Sequence, residues 1–230
     1  MQIGALSVTG NVRDENQDRM SWDKFPIGNV FIVADGMGGC EAGTIAAELA
    51  VACIREGFRK AVPQCPVEDV FIAAFEEANQ VIFAKSRSGN AVRQMGTTAV
   101  VLLISGKFAR IAHIGDSRAY FFSGGFLSRI TNDHTKVQKL VDSGVIEEEV
   151  AEQHPDSHIL TKAIGIKEEI TPDISSEIEI NDGDAFLLCS DGLSGFVADT
   201  EIEKILKSDT APQKTTEALV SNALNSGGND

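Results

Sequence analysis

An α+β layered sandwich is the fold that the sequence predicts, on three observations. Short apolar runs closed by aspartate or glycine recur along the chain, and two pairs of helical patterns interrupt them. The resulting order of strands, two helices, strands, two helices departs from the βαβ alternation of a doubly wound sheet.

Residues 2–9 alternate apolar with small or polar side chains and predict a first strand. Residues 29–34, Asn-Val-Phe-Ile-Val-Ala, form a short apolar run stopped by Asp35-Gly36 and predict a second. Over residues 42–62, Ile45, Leu49, Ala52, Ile54 and Phe58 fall near helical spacing, and residues 67–84 repeat the habit with Val70, Ala74, Ala78, Val81 and Ile82. Pro63 to Pro66 breaks the two helices apart. Four strands are then expected at 97–105, 108–114, 118–122 and 126–130, separated by glycines in a way that suggests an antiparallel meander. Residues 135–165 are polar and predict short helices in a mobile excursion. Strands at 174–180 and 185–189 flank the turn Asn181-Asp182-Gly183, and helices follow near 200–207 and 212–224.

Composition narrows the function. The 230 residues suit one domain with a full core, at 43% apolar and 23% charged. The net charge of −14 repels polyanions and argues against nucleic-acid binding. No apolar run approaches the ~20 residues of a membrane helix, and the start of the chain lacks the layout of a signal peptide. Four cysteines without C-x-x-C spacing argue against a zinc ribbon or a disulfide framework and for a reducing cytoplasm. No phosphate-cradling glycine loop is present.

The informative pattern is where the carboxylates fall. Phe31 to Gly39 and Phe186 to Gly195 share one frame: apolar run, Asp-Gly, apolar residue, small residue, glycine. Gly115-Asp116-Ser117-Arg118, Asp14 to Asp18, and Gly227 to Asp230 are further acidic turns. Each alone reads as an ordinary turn. If the strands lie side by side, however, several carboxylates crowd one end of the core, where repulsion and desolvation call for cations. Oxygen-only ligands favour hard ions, Mg²⁺ or Mn²⁺, over zinc.

Arg13-x-x-Asn16-Gln17-Asp18, Asp35-Gly36-Met37-Gly38-Gly39, Gly96-Thr97-Thr98, Gly115-Asp116-Ser117-Arg118, Asp133-His134-Thr135, His154-Pro155 with Leu160 to Gly165, Ser190-Asp191-Gly192 and Gly228-x-Asp230 stand in this order. Together they resemble the motifs of bacterial PPM-family metal-dependent serine/threonine protein phosphatases and cover nearly the whole chain. The resemblance implies a four-layer αββα sandwich of two antiparallel sheets, with residues 135–165 as a flap subdomain of a single catalytic domain. It implies two or three Mn²⁺ or Mg²⁺ ions. Asp35 would bridge two ions with help from the Gly36 carbonyl, Asp191 and Asp230 would hold one, Asp18 would act through water, and Asp116 would serve a third position. Arg13 would clamp the substrate phosphate, a task suited to a planar bidentate donor. Hydrolysis by a metal-bridged water, without a phosphoenzyme, would then remove phosphate from serine or threonine of protein substrates and oppose a cognate kinase. In the family the chain continues past the position of Asp230 into a final strand.

Two positions depart from the family pattern. Met37 stands where many relatives have a histidine, and a thioether donates no proton. Gln17 stands where some have glutamate, and its amide oxygen replaces that group only in part. Alternative readings are a catalytically weak pseudophosphatase that binds phosphoproteins, and a metal nuclease, which the charge disfavours. Cys53 to Arg59 has the C-x5-R spacing of a cysteine phosphatase, but it lies inside a helical pattern whose N–H groups are already bonded. His113 reads as a core residue, His158 as a surface one, and Glu147 to Glu149 as a solvated helix face. A monomer is the default state.

Overall fold

Because the central strands carry apolar residues on both faces, each must be covered twice, and this decides the layering. In the computed structural model, described for residues 1–88, 95–151, 154–208 and 210–228 apart from the side chains of Cys40 and Glu149, β1 (Arg19–Phe25), β2 (Gly28–Ala34) and β3 (Gly36–Met37) come first. The helices α1 (Cys40–Lys60) and α2 (Val67–Ser88) follow. Next are β4 (Gly96–Thr97), β5 (Ala99–Ser105), β6 (Phe108–Ile114), β7 (Arg118–Ser123) and β8 (Phe126–Arg129). After the short helices α3 (Lys136–Asp142) and α4 (Glu148–Ala151) come β9 (Asp173–Ile174), β10 (Ile178–Glu179) and β11 (Ala185–Cys189). The order closes with α5 (Asp191–Ser194), α6 (Asp199–Leu206) and α7 (Pro212–Asn225).

One sheet runs β1-β2-β5-β6-β10, with β9 also on β6, and a second runs β11-β7-β8; among the described residues every pairing in these sheets is antiparallel. On one face of the first sheet, Val30, Ile32, Val101, Leu103 and Ile114 pack against Ile54 and Phe58 of α1 and Phe71 and Phe75 of α2. On its other face, Val100, Leu102 and Ile111 meet Ala119, Phe186 and Leu188 of the second sheet. The outer face of that sheet, with Tyr120, Leu187 and Cys189, is covered by Ile202 of α6 and Leu219 of α7. Helices, sheet, sheet, helices is the expected four-layer order. The α1–α2 contact is close because Gly57 faces Ala74, and Phe58 meets Phe71 edge-on at 5.3 Å.

Three local expectations change. Residues 2–9 form no strand. They lie along α7, with Ala5 N–H donating to Gln213 Oε1 at 3.1 Å and Gly4 pressed on the Pro212 carbonyl. Period-two alternation sets which way side chains point but supplies no neighbouring strand. Conversely, β1 was hidden by its charges. Arg19 and Asp23 pair with Glu48 and Arg55 of α1, while Met20 and Trp22 on its other face stay exposed. The meander, finally, is two hairpins in different sheets, because the chain crosses between β6 and β7 at Gly115, whose φ is +102°.

Candidate metal centre and active site

Four acidic turns converge where strands end. Asp35 leaves β2 and is gripped by its backbone: its N–H donates to Thr98 Oγ1 at 3.0 Å, and its carbonyl accepts from Thr98 N–H at 2.9 Å and Thr97 Oγ1 at 2.7 Å. The next residue packs backbone to backbone on the first turn of α1. A Cβ on Gly36 would lie 2.1 Å from the Gly43 carbonyl oxygen, and one on Gly43 would lie 2.2 Å from Gln17 Oε1. No side chain fits there, which is the physical need behind glycine at position 36.

Asp116 sits on the crossing between the sheets and is 8% exposed. Burial, then the charges of Asp191 and Asp133, push its carboxyl up to about 7. Its turn is tied to that of Asp35, because Thr98 Oγ1 also shares a 2.6 Å hydrogen bond with Ser117 Oγ. Asp191 opens α5 after Ser190, and the Ser190 hydroxyl donates to Asp18 Oδ2 at 2.6 Å. Burial raises the Asp18 pKa above its ordinary value; the Ser190 hydrogen bond opposes this, the nearby Asp191 charge adds to it, and Arg13 opposes it.

Arg13, Asp35, Gly36, Asp116 and Asp191 line one cleft of about 1340 Å³. Asp18 lies beside them, hydrogen-bonded with Asp35 and within reach of the Asp191 charge. Asp230 lies outside the described residues. Among the described residues no three carboxylate, imidazole or thiol groups close into a ready coordination sphere. The carboxylates instead act on one another by charge, Asp191 on both Asp18 and Asp116, while Asp18 is also hydrogen-bonded with Asp35. Asp191 Oδ1 is buried without a hydrogen-bond donor. A carboxylate oxygen withdrawn from water and offered no donor, among carboxylates of like charge, fits a hard cation.

Met37 lines the same cleft, as does His158, which is exposed there. Gln17 is buried against α1. Cys53 lies within α1, and burial followed by the Glu77 charge raises its thiol pKa, so a phosphate-holding thiolate loop is absent from that segment. His113 is buried as expected, its Nε2 2.8 Å from the Asn132 carbonyl. Sequence reasoning gave no role to Thr98, Ser117 or Ser190. Ser117 and Ser190 stand next to Asp116 and Asp191 in sequence, which was the available signal for them, whereas Thr98 meets Asp35 only across the fold.

Arg118 shows how the site is braced from the second sheet. It is forked onto Asp133, with Nη2 at 2.7 Å from Oδ2, and Nη1 reaches the Tyr120 hydroxyl at 3.2 Å. Tyr120 in turn donates to Asp199 Oδ1 at 2.8 Å. The pair is largely buried, so its guanidinium is committed to structure and not to substrate.

A family profile described as Protein phosphatase 2C matches residues 11–225. The chain is 39% identical to protein phosphatase PhpP of Streptococcus pneumoniae, over all of this chain and 94% of that one. Its structure resembles the serine/threonine phosphatase of S. agalactiae, with a TM-score of 0.92 and 30% identity over 100% of this chain and 95% of that one. It also resembles the catalytic domain of the serine/threonine protein phosphatase PstP in complex with two manganese ions, with a TM-score of 0.85 and 34% identity over 98% and 92% of the two chains. The strand-end carboxylates, the paired sheets and these matches agree, and the chain belongs to the protein phosphatase 2C family.

Proposed function

We propose that the cleft removes phosphate from phosphoserine and phosphothreonine of protein substrates, using bound Mn²⁺ or Mg²⁺. The observation that carries the reading is the unpartnered, buried Asp191 Oδ1 among carboxylates drawn from three separate turns, in the cleft that Arg13 lines. Asp35, the Gly36 carbonyl, Asp191 and Asp230 would hold the ions, Asp18 would support them, and Asp116 would serve a further ion. When bound, the ions supply the acidity that ionises water and the positive charge that offsets the phosphoryl oxygens. Arg13 offers a planar pair of N–H donors to the phosphate and orients it over Asp35. Thr98 and Ser117 keep Asp35 and Asp116 in fixed relation, so the carboxylates need no reorganisation during turnover. Met37 offers no proton to the leaving alkoxide.

Residues 135–165 act in this reading as a flap of a single catalytic domain and shape access for the polypeptide. The partners are phosphorylated proteins and a cognate serine/threonine kinase whose products this enzyme reverses. The chain acts as a monomer in the cytoplasm. Among the described residues no helix is long and apolar enough to cross a membrane.

The test is hydrolysis of a small aryl phosphate and of a phosphothreonine peptide by metal-stripped protein, before and after Mn²⁺ or Mg²⁺ is restored. Activity should return with metal on both substrates. Asp35→Asn and Asp191→Asn should each lose at least about 100-fold in kcat/KM, more than is usual for outer-shell partners of a metal. Full activity in either variant would overturn the assignment.

A further inference from the structure

We infer that His134 is a positioning residue for Asp116, acting through the backbone of Gly115; the inference rests on Asp116 serving a metal ion. Both polar backbone groups of Gly115 end on this one residue. Gly115 N–H donates to His134 Nδ1 at 3.0 Å, and the Gly115 carbonyl accepts from His134 N–H at 3.0 Å. Gly115 is also the left-handed residue at which the chain changes sheets, and a Cβ there would lie 2.5 Å from Thr98 Cγ2. With one side closed by Thr98 and both hydrogen-bonding groups held by His134, the following residue, Asp116, has a single orientation.

The imidazole is itself held. Its ring stacks on His113 at 4.7 Å with the planes 8° apart, and His113 Nε2 donates to the Asn132 carbonyl at 2.8 Å. His134 Nε2 lies 3.3 Å from Asp173 Oδ2, out of line for a hydrogen bond, and Asp173 accepts from Lys162 Nζ at 2.7 Å. Since Nδ1 accepts from an amide, the working ring is neutral with its proton on Nε2. Burial, followed by the neighbouring His113, keeps it so. The His134 carbonyl accepts from Thr161 N–H at 2.7 Å, which links the Asp116 turn to the far end of the 135–165 segment.

The required atom is an acceptor one bond beyond Cγ. Asparagine places its Oδ1 there, whereas glutamine carries its acceptor one bond further, at the reach of Nε2. His134→Ala, His134→Asn and His134→Gln in the full chain therefore separate the clamp from mere packing. Exchange of the Gly115 amide hydrogen, followed by NMR in metal-free protein, reads the bond directly. Mn²⁺ binding by calorimetry and the kcat and KM for an aryl phosphate read its consequence.

The alanine and glutamine variants should exchange the Gly115 amide at least about 10-fold faster and bind Mn²⁺ about 10–100-fold more weakly at the weakest site, with kcat lowered and KM little changed. The asparagine variant should restore both within a few-fold. Wild-type exchange and Mn²⁺ binding in His134→Ala would overturn the inference, and so would equal losses in the asparagine and glutamine variants. If His134→Ala does not fold, the asparagine and glutamine pair decides alone. Wild-type protein that binds Mn²⁺ but hydrolyses nothing would overturn the functional reading, while the exchange comparison still decides the clamp.

Discussion

The turns at Asp35 and Asp191 start alike and end differently. Each follows an apolar strand and runs Asp-Gly, apolar residue, small residue, glycine. After Asp35 the chain forms β3 and then two glycines at φ +118° and +91° before α1 begins. After Asp191 it enters α5 at once, and Gly195 caps that helix at φ −79°. The small residue explains part of the divergence, since Gly38 adopts a left-handed backbone that Ser194 would resist. The rest comes from outside the frame. The first turn is pressed on Gly43 and held by Thr98, whereas the second is preceded by Ser190 and has room to coil. The same local sequence is thus a rigid bracket in one place and a helix start in the other.

Gly36→Ala should break the bracket most severely. Its Cβ would meet backbone, which cannot rotate away, and a loss of about 3 kcal/mol or more in a denaturant melt is expected. Thr98→Val keeps the shape but strips the acceptor from Asp35 N–H and the link to Ser117. It should cost about 1–3 kcal/mol and lower kcat for an aryl phosphate.

A pH series on metal-free protein tests the side of the site that faces the second sheet. The folded Asp116 carboxyl, at about 7, lies above its ordinary value of 3.8, so the folded state binds that proton more tightly. Its contribution is full below the unfolded value and is lost as pH rises through about 7. A tenfold difference in proton affinity between the folded and unfolded chain is worth about 1.4 kcal/mol, or about 2–4 °C in Tm for a chain this size. Metal-free protein should therefore melt lower at pH 8 than at pH 5 by at least that much, and saturating Mn²⁺ should reverse the difference. An unchanged gap with Mn²⁺ would remove Asp116 from the metal centre. The smallest effect is expected at the looser turn. Ser190→Ala removes one donor from Asp18 and should weaken Mn²⁺ binding only a few-fold, about 1 kcal/mol.

Much of the fold and part of the site are legible in the sequence. Strands such as β6 and β11, with apolar runs bounded by glycine or aspartate, fall on the residues that periodicity marks. The Asp35, Asp116 and Asp191 turns stand out in the chain and do line one cleft. What stays hidden depends on neighbours. The edge strand β1 pairs charges with α1 on its covered face and leaves Met20 and Trp22 exposed on the other, the reverse of the usual alternation, and residues 2–9 show strand alternation while lying on a helix. The change of sheet at Gly115 cannot be read from hairpin spacing, because a glycine serves a tight turn and a crossing equally well. The hydroxyl bridge from Thr98 to Ser117 joins residues distant in sequence, which no local pattern encodes.

The three apolar clusters bear on how the molecule comes apart. The cluster under α1 and α2 is far larger than those beside the second sheet, so protection from hydrogen exchange should be deepest there and shallowest around α6 and α7. Asp18 and Asp35 belong to the robust half, Asp191 belongs to the weaker one, and Asp116 sits on the crossing between them. An ion held as proposed, by residues of both halves, would be a staple across a seam: it would bind only when both halves are docked, and mass action would make their docking firmer as metal rises. Scarcity of that ion would then loosen the second half of the protein as well as stop turnover, and would expose it first to proteases.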